Sequence, residues 1–507
     1  MAEKEKSLNG SNKVLSWQAL GLMTFTSVWG FGNIVNGYAN QGLKAVVSWI
    51  LMFALYFIPY VLMVGEMGST FKESAGGVSS WIRSTSGAKL AYFAGWTYWI
   101  VHMPYLAQKP QNMLIAFGWA VFQNGSLTKT ISPLVLQSIA LVIFFFFLWY
   151  ASKGVNALKR IGALAGSFMF VMSILYILLA LAAPHLTTAR TFTYSLNWDT
   201  LMPTFDFDYM TTLGILVFAV GGCERLSPYV NNLKKPSSEY PKSMIFMATM
   251  VAVTALLGTF AMGLMFDPTN IPKDLMMNGA YYSFSKLGEY YGIGQTFVII
   301  YAICNTLGQA ATLAISIDAP IKILLADVDP QFVPKVFTKV NANGVPVTGY
   351  KLTAVLVSIL LIVPALGIGD MTSLYNWLIR LNAVCMPLRY LWVFFAYMML
   401  KKHADQYVSA YHFVKSRGLG MLAGFWCFAF TAFACIMGMF PRGVQSGTDT
   451  WYFQFAMNIL TPLVLIGIGF ILPELAKKER RNPINKGAVK KLSTAPLFRL
   501  RQLASIG

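Results

Sequence analysis

The sequence predicts an all-α polytopic membrane protein with about twelve transmembrane helices, and three observations carry that expectation. Only 12% of the 507 residues are charged and 56% are hydrophobic, whereas soluble domains carry roughly 25% charged residues. Apolar runs of the roughly 20 residues needed to cross a hydrocarbon core recur along the chain. Of the 39 Lys and Arg, 29 fall on segments that alternate onto one face of such a bundle and six onto the other, with Lys109, Arg225, Arg380 and Arg389 inside helices. That bias is the positive-inside pattern and puts both termini in the cytoplasm of a multi-pass inner-membrane or plasma-membrane protein. The same scatter over loops removes a nucleic-acid reading of the +19 net charge, because no docking stripe forms. The lipid bilayer is the expected surrounding, with no nucleic-acid partner.

A polar stretch at 1–14 is read as a cytoplasmic tail. Helices are expected at 15–39, 45–69, 90–122, 132–150 and 156–183, then at 210–232, 243–266, 292–325, 347–365 and 371–400, and finally at 418–440 and 452–475. A basic tail at 476–507 follows. The first run lacks a small-x-small cleavage pattern and is read as a retained helix. Its centre holds Gly30-Phe31-Gly32-Asn33, and paired glycines cost about 1 kcal/mol each in a helix. Glu66 lies at the cytoplasmic end of helix two, where a loop contact suffices. Helix three is long and carries His102, Gln108, Lys109, Gln111 and Asn112 between Pro104 and Pro110, a tract polar enough to face an aqueous cavity. Two roles are open to Lys109: contact with a substrate or coupling charge, or a structural ion pair. His102 is read as a satisfied helix histidine.

Helices four and five close a first group spanning 15–183. Helix six opens a second group, 210–400, and is interrupted at Gly221-Gly222-Cys223-Glu224. The two interruptions therefore fall in the first helix of each five-helix group, the pattern of transporters built from inverted repeats with broken helices. In lipid an unwound backbone survives only where it lines a cavity. The amides of Phe31, Gly32 and Asn33 begin a half-helix whose positive end can hold a carboxylate. The carbonyls around Ser27, Val28, Phe218 and Ala219 lose helical donors and can accept from an ammonium. Gly30, Phe31, Gly32, Asn33, Gly221, Gly222 and Cys223 complete the candidate site, which suits an α-amino acid. Glu224 has two open roles, proton carrier or fixed acceptor steadying the break. Arg225 is expected toward the cytoplasmic vestibule.

In helix eight Asp318 and Lys322 stand at i, i+4 and are expected to pair. Tyr281–Gly288, ahead of it, is a candidate short interfacial helix. In helix ten Arg380 either faces the pocket or pairs with an acid elsewhere, and Arg389 is expected to be a structural partner. Helices eleven and twelve span 418–475. The five cysteines all sit in apolar runs and read as small buried residues. No metal site and no cofactor is called for, and at membrane depth no H-E-x-x-H, Gly-x-Ser-x-Gly or paired aspartates offer a catalytic constellation, so the chain does not read as an enzyme.

Two segments carry a family resemblance. Helix two and its loop read Gly65-Glu66-Met67-Gly68-Ser69-Thr70-Phe71, then Gly76-Gly77-Val78-Ser79-Ser80-Trp81; the loop after helix eight runs Val333-Pro334-Lys335 to Asn343-Gly344-Val345-Pro346. Over roughly residues 15–475 the chain resembles the amino acid–polyamine–organocation (APC) superfamily, and its glutamate/GABA antiporter-like branch in particular. The resemblance implies a LeuT-type five-plus-five inverted repeat with two extra helices. It implies an amino-acid antiporter or proton-coupled permease working by alternating access, with a same-fold amine or polyamine exchanger as the alternative. By position it puts Gly30, Gly32, Asn33, Gly221, Gly222 and Glu224 at the substrate-binding breaks. The sequence departs from the family in having Phe31 where a small hydroxyl residue is usual and Gly-Gly-Cys where an aromatic gate is common. Four interior cations against three acids favour a zwitterionic or acidic cargo. The sequence carries no signal for oligomeric state.

Overall fold

The computed structural model describes residues 15–188, 197–267, 270–367, 370–442 and 445–481. The segment 1–14 and most of the basic tail, 482–507, lie outside the described residues. Among those described, nine helices are long and apolar enough to cross a membrane. The other expected spans are the interrupted first one, the third, which is divided into two helices, and a shorter apolar helix, Val347–Val363. In chain order the elements are α1 (Trp17–Val28) and α2 (Phe31–Gln41), α3 (Lys44–Thr70), α4 (Val78–Ser86), α5 (Ala88–Ile100) and α6 (Met103–Phe122), α7 (Pro133–Ala151) and α8 (Val155–Leu186). Then come α9 (Phe207–Val220), α10 (Pro236–Gly263), α11 (Leu275–Tyr290), α12 (Thr296–Leu325), α13 (Val347–Gly367), α14 (Met371–Lys402), α15 (Arg417–Gly438) and α16 (Trp451–Arg481).

The bundle separates two kinds of surface. Val142, Val171, Leu178, Val355, Phe425 and Leu463 are each more than half exposed. In water such apolar exposure on α7, α8, α13, α15 and α16 would be costly; in a bilayer it is the lipid-facing belt. The interior is filled by aromatics, among them Trp49, Trp81, Trp96 and Trp99. Glycine lets helices approach: a Cβ at Gly166 on α8 would lie 2.4 Å from the Leu22 carbonyl oxygen of α1.

Both predicted interruptions exist. α1 stops at Val28, Trp29 and Gly30 are extended, and α2 starts at Phe31. α9 stops at Val220, Gly221 is extended, Gly222 takes φ +104°, and a 3-10 helix runs Cys223–Asn232. A positive φ of that size is a glycine conformation. Three expectations need adjusting. The long third span is two helices meeting at Val101–His102, just before Pro104. Tyr281–Gly288 is the centre of a longer helix, α11, whose Leu275, Met277, Phe284 and Leu287 are buried. α16 continues to Arg481, so the tail boundary at 476 falls inside a helix.

Candidate functional site

The two interruptions meet. Asn33, in the first turn of α2, donates from Nδ2 both to the Val28 carbonyl (3.3 Å) and to the Ala219 carbonyl (3.2 Å). One side chain thus ties the break of the first span to the break of the sixth across 186 residues of sequence. Around this bridge lies a cavity of about 90 Å³, well above the roughly 15 Å³ a single buried water requires. The α1–α2 break supplies Thr26, Ser27, Val28, Trp29, Gly30, Gly32, Asn33 and Asn36; α6 supplies Tyr105, Gln108, Lys109 and Asn112. Phe218, Gly221 and Arg225 close one side, Gly308, Gln309 and Thr312 of α12 another, with Met169, Tyr375 and Ile379 completing the wall.

The cavity is polar and cationic. Lys109 donates to Gln309 Oε1 (3.1 Å) and Arg225 donates to Ser316 Oγ (3.0 Å). Tyr105 lies under both, its ring centroid 4.4 Å from Lys109 Nζ and 5.1 Å from Arg225 Cζ. Among the described residues neither cation has an ion-pair partner, and no carboxylate lines the cavity. Several buried polar atoms on its walls also lack partners: Trp29 Nε1 and Arg225 Nε as donors, Asn36 Oδ1 and Asn112 Oδ1 as acceptors. The start of α2 adds the Phe31 and Gly32 amides, which as first-turn groups have no intrahelical acceptor. The Asn33 amide is taken by the Gly30 carbonyl (2.9 Å).

The structure distributes the sequence candidates unevenly. Ser27, Val28, Gly30, Gly32, Asn33, Phe218, Gly221 and Lys109 line the cavity. The carbonyls of Val28 and Ala219 already accept from Asn33, and that of Phe218 accepts from the Gly221 amide (3.4 Å). The Phe31 ring is fully buried away from the cavity, against Tyr176, Phe284 and Tyr301. Ala219, Gly222 and Cys223 are buried beside the cavity and do not line it. Arg380 lines a different cavity with Arg442 and Asn40. Arg225, expected toward the vestibule, instead reaches the cavity. Thr26, Asn36, Gln309, Thr312 and Tyr375 went unrecognised in the sequence; Asn305, Gln309 and Thr312, spaced i, i+4, i+7 along one face of α12, were the readable signal.

Glu224 is wholly buried below the break, accepting from the hydroxyls of Tyr60 and Tyr98 (the latter 2.5 Å), with Arg389 Nε 3.6 Å away. Arg389 also donates to His102 Nδ1 (2.6 Å). A guanidinium only donates, so His102 accepts. Neutralised in this way, Arg389 leaves Lys109 and Arg225 as the uncompensated charges beside the inner cavity. Truncating one partner of a buried ion pair costs about 3–5 kcal/mol. Glu224→Leu is therefore expected to lower the melting temperature of the detergent-purified protein sharply, with Glu224→Gln losing less because it keeps an acceptor for the tyrosines; equal melting temperatures for Glu224→Leu and wild type would contradict the assignment.

On one side the cavity adjoins others. It shares Gly32, Asn112, Gln309 and Tyr375 with a second cavity, which reaches Met276 and Tyr281 of α11. Met276 in turn lines the cavity holding Arg380 and Arg442. Toward the opposite, basic face three carboxylates bind the helices together. Glu66 holds Lys401 (2.5 Å) and the Phe413 amide (2.9 Å). Asp318 accepts from Tyr229 (2.6 Å) and Tyr350 (2.8 Å) and pairs with Lys322 (2.8 Å). Asp327 accepts from the Gly76 amide (2.9 Å) and the Ser80 hydroxyl.

Comparison with known proteins is consistent with this geometry. The family model described as amino acid permease matches residues 15–466. The chain is 51% identical to an aspartate/glutamate permease of Lactococcus lactis subsp. cremoris, over 92% of this chain and 96% of that one. It is 23% identical to a glutamate/gamma-aminobutyrate antiporter of Lactococcus lactis subsp. lactis, over 89% of this chain and 88% of that one. Among solved structures it resembles MhsT in complex with L-phenylalanine, with TM-score 0.56 and 15% identity, covering 83% of this chain and 97% of that one. That last likeness speaks to the fold alone.

Proposed function

This chain belongs to the amino acid permease family, on the glutamate/GABA antiporter-like branch of the APC superfamily, and from that premise we propose that its cargo is an acidic amino acid, aspartate or glutamate. It is an amino acid transporter and not an enzyme. The observation that carries the substrate reading is a cavity with two cations, Lys109 and Arg225, and no carboxylate among its lining residues. Two uncompensated charges at membrane depth cost several kcal/mol, and a bound anion offsets that cost. In this reading the side-chain carboxylate goes to Arg225, whose planar fork suits it. The α-carboxylate takes the amides that begin α2. The ammonium goes to Asn36 Oδ1, Asn112 Oδ1 and the carbonyl of Ser27. The aspartate/glutamate permease named above points the same way. An amine or polyamine cargo would meet like charge in this site.

The cavity chain toward α11 and the carboxylate clusters on the basic face support an outward-accessible conformer, with the basic face and both termini cytoplasmic. Alternating access then requires the clusters of Glu66, Asp318 and Asp327 to part. The repeats would run 15–183 and 210–400, with 418–475 outside them. The test is uptake of radiolabelled aspartate into proteoliposomes. Unlabelled glutamate is expected to compete fully, and asparagine, GABA and agmatine weakly. Preloading the vesicles with amino acid or imposing a pH gradient distinguishes exchange from proton coupling. Competition by agmatine as strong as by glutamate would reverse the substrate assignment.

A further inference from the structure

We propose a second anion site on the access path, in which Arg380 and Arg442 take a carboxylate of the substrate before it reaches the inner cavity. The inference rests on the acidic-substrate reading above. Arg380 of α14 and Arg442, four residues beyond α15, line one cavity of about 40 Å³ together with Asn40, Thr211 and Met276. Arg442 donates to Asn40 Oδ1 (3.1 Å) and to Asp208 Oδ2 (3.2 Å), a carboxylate 79% exposed. An ion pair that exposed is worth little and exchanges readily with a competing anion. Arg380 is half-buried, and among the described residues it has neither a hydrogen-bond nor an ion-pair partner. A partly buried guanidinium with its five donors unused, beside a second guanidinium, is a binding surface for a planar oxyanion.

Position gives the pair its role. Met276 lines both this cavity and the next one inward, and that one shares Gly32, Asn112, Gln309 and Tyr375 with the inner cavity. Ile379 lines the inner cavity and Arg380 the outer one, so one turn of α14 faces both. A molecule with two carboxylates, leaving Arg380 and Arg442 for Arg225 and Lys109, exchanges one pair of cations for another. A cation meets repulsion at both stages.

Radiolabelled aspartate binding to purified protein tests this when the inner site is weakened by Arg225→Met. The single variant is expected to retain weak binding that asparagine does not displace and that added salt reduces, as screening demands of a partly exposed site. Adding Arg380→Gln is expected to weaken the residual binding about tenfold, and Arg380→Lys to restore most of it. Residual binding indifferent to Arg380→Gln, or its absence in Arg225→Met, overturns the outer site. Aspartate uptake by wild-type proteoliposomes, measured alongside, judges the substrate assignment separately. Loss of residual binding with Arg380→Gln would sustain the outer anion site even if wild type carried no aspartate.

Discussion

Arg225→Met is expected to lower kcat/KM for aspartate uptake by roughly a hundredfold or more. Removing one member of a desolvated, hydrogen-bonded charge pair costs about 2–5 kcal/mol, and each 1.4 kcal/mol is a factor of about ten. Methionine fills similar space without donors, so the lost bond to Ser316 Oγ (3.0 Å), worth about 1 kcal/mol, should leave the fold intact. Arg225→Lys restores charge without the planar fork and should recover only part of the uptake. The diagnostic readout is a ratio. Aspartate carries the carboxylate that Arg225 would bind, and asparagine does not. The variant should therefore lose most of the preference for aspartate over asparagine, which a merely destabilising change would leave alone. An unchanged ratio with Arg225→Met would remove Arg225 from substrate recognition.

Arg225 also shows where sequence reading stopped. Its neighbours Gly221 and Gly222 marked the break plainly, because paired glycines weaken a helix and in lipid a weakened, unwound segment must line a cavity. The direction of the residues after the break depended on the helix type. Cys223–Asn232 is a 3-10 helix, with three residues per turn instead of 3.6. Arg225 was expected toward the cytoplasmic vestibule, whereas the tighter winding brings it to the side of Gly222, where its guanidinium lies near that of Arg389. Arg380, left open between the pocket and an acid partner, lines another cavity for a related reason. Successive helix positions turn by about 100°, so Ile379 faces the inner cavity and Arg380 the outer one. Burial depth was legible from the sequence, but rotation about the helix axis was not.

Long-range partnership was illegible for a different reason. Tyr60 and Tyr98 reach Glu224 from 164 and 126 residues away, and nothing in either helix announces an acceptor. The helix-eight pair was legible because i, i+4 spacing is local, and Asp318 and Lys322 do pair at 2.8 Å. The Tyr229 and Tyr350 hydroxyls that complete its setting come from other elements. The polar tract of α6 was legible as cavity-facing because so much polarity at membrane depth is otherwise too costly. Gln108, Lys109 and Asn112 line the cavity, while Gln111 turns to Gln137 (3.0 Å).

Gly32→Leu should abolish uptake while leaving the melting temperature of the purified protein near that of wild type. The two glycine pairs differ in what surrounds them. A Cβ on Gly221 would lie 2.1 Å from the Tyr390 ring, and Gly222 holds a positive φ, so substitution at either attacks the fold. A Cβ on Gly32 meets nothing within 4 Å. Its α2 conformation is ordinary helix, for which leucine is a better former by roughly 1 kcal/mol. The leucine side chain would instead enter the cavity of about 90 Å³ that Gly32 lines, and it would cover the amides that begin α2. Substrate binding and water are displaced together, and no packed neighbour is pushed aside. Gly32→Ala, adding a single methyl group, should give an intermediate loss seen mainly as a raised KM. Wild-type uptake by Gly32→Leu would mean that cargo passes elsewhere, and a melting temperature lowered as far as that of a Gly221 substitution would mean that the space beside Gly32 is not open.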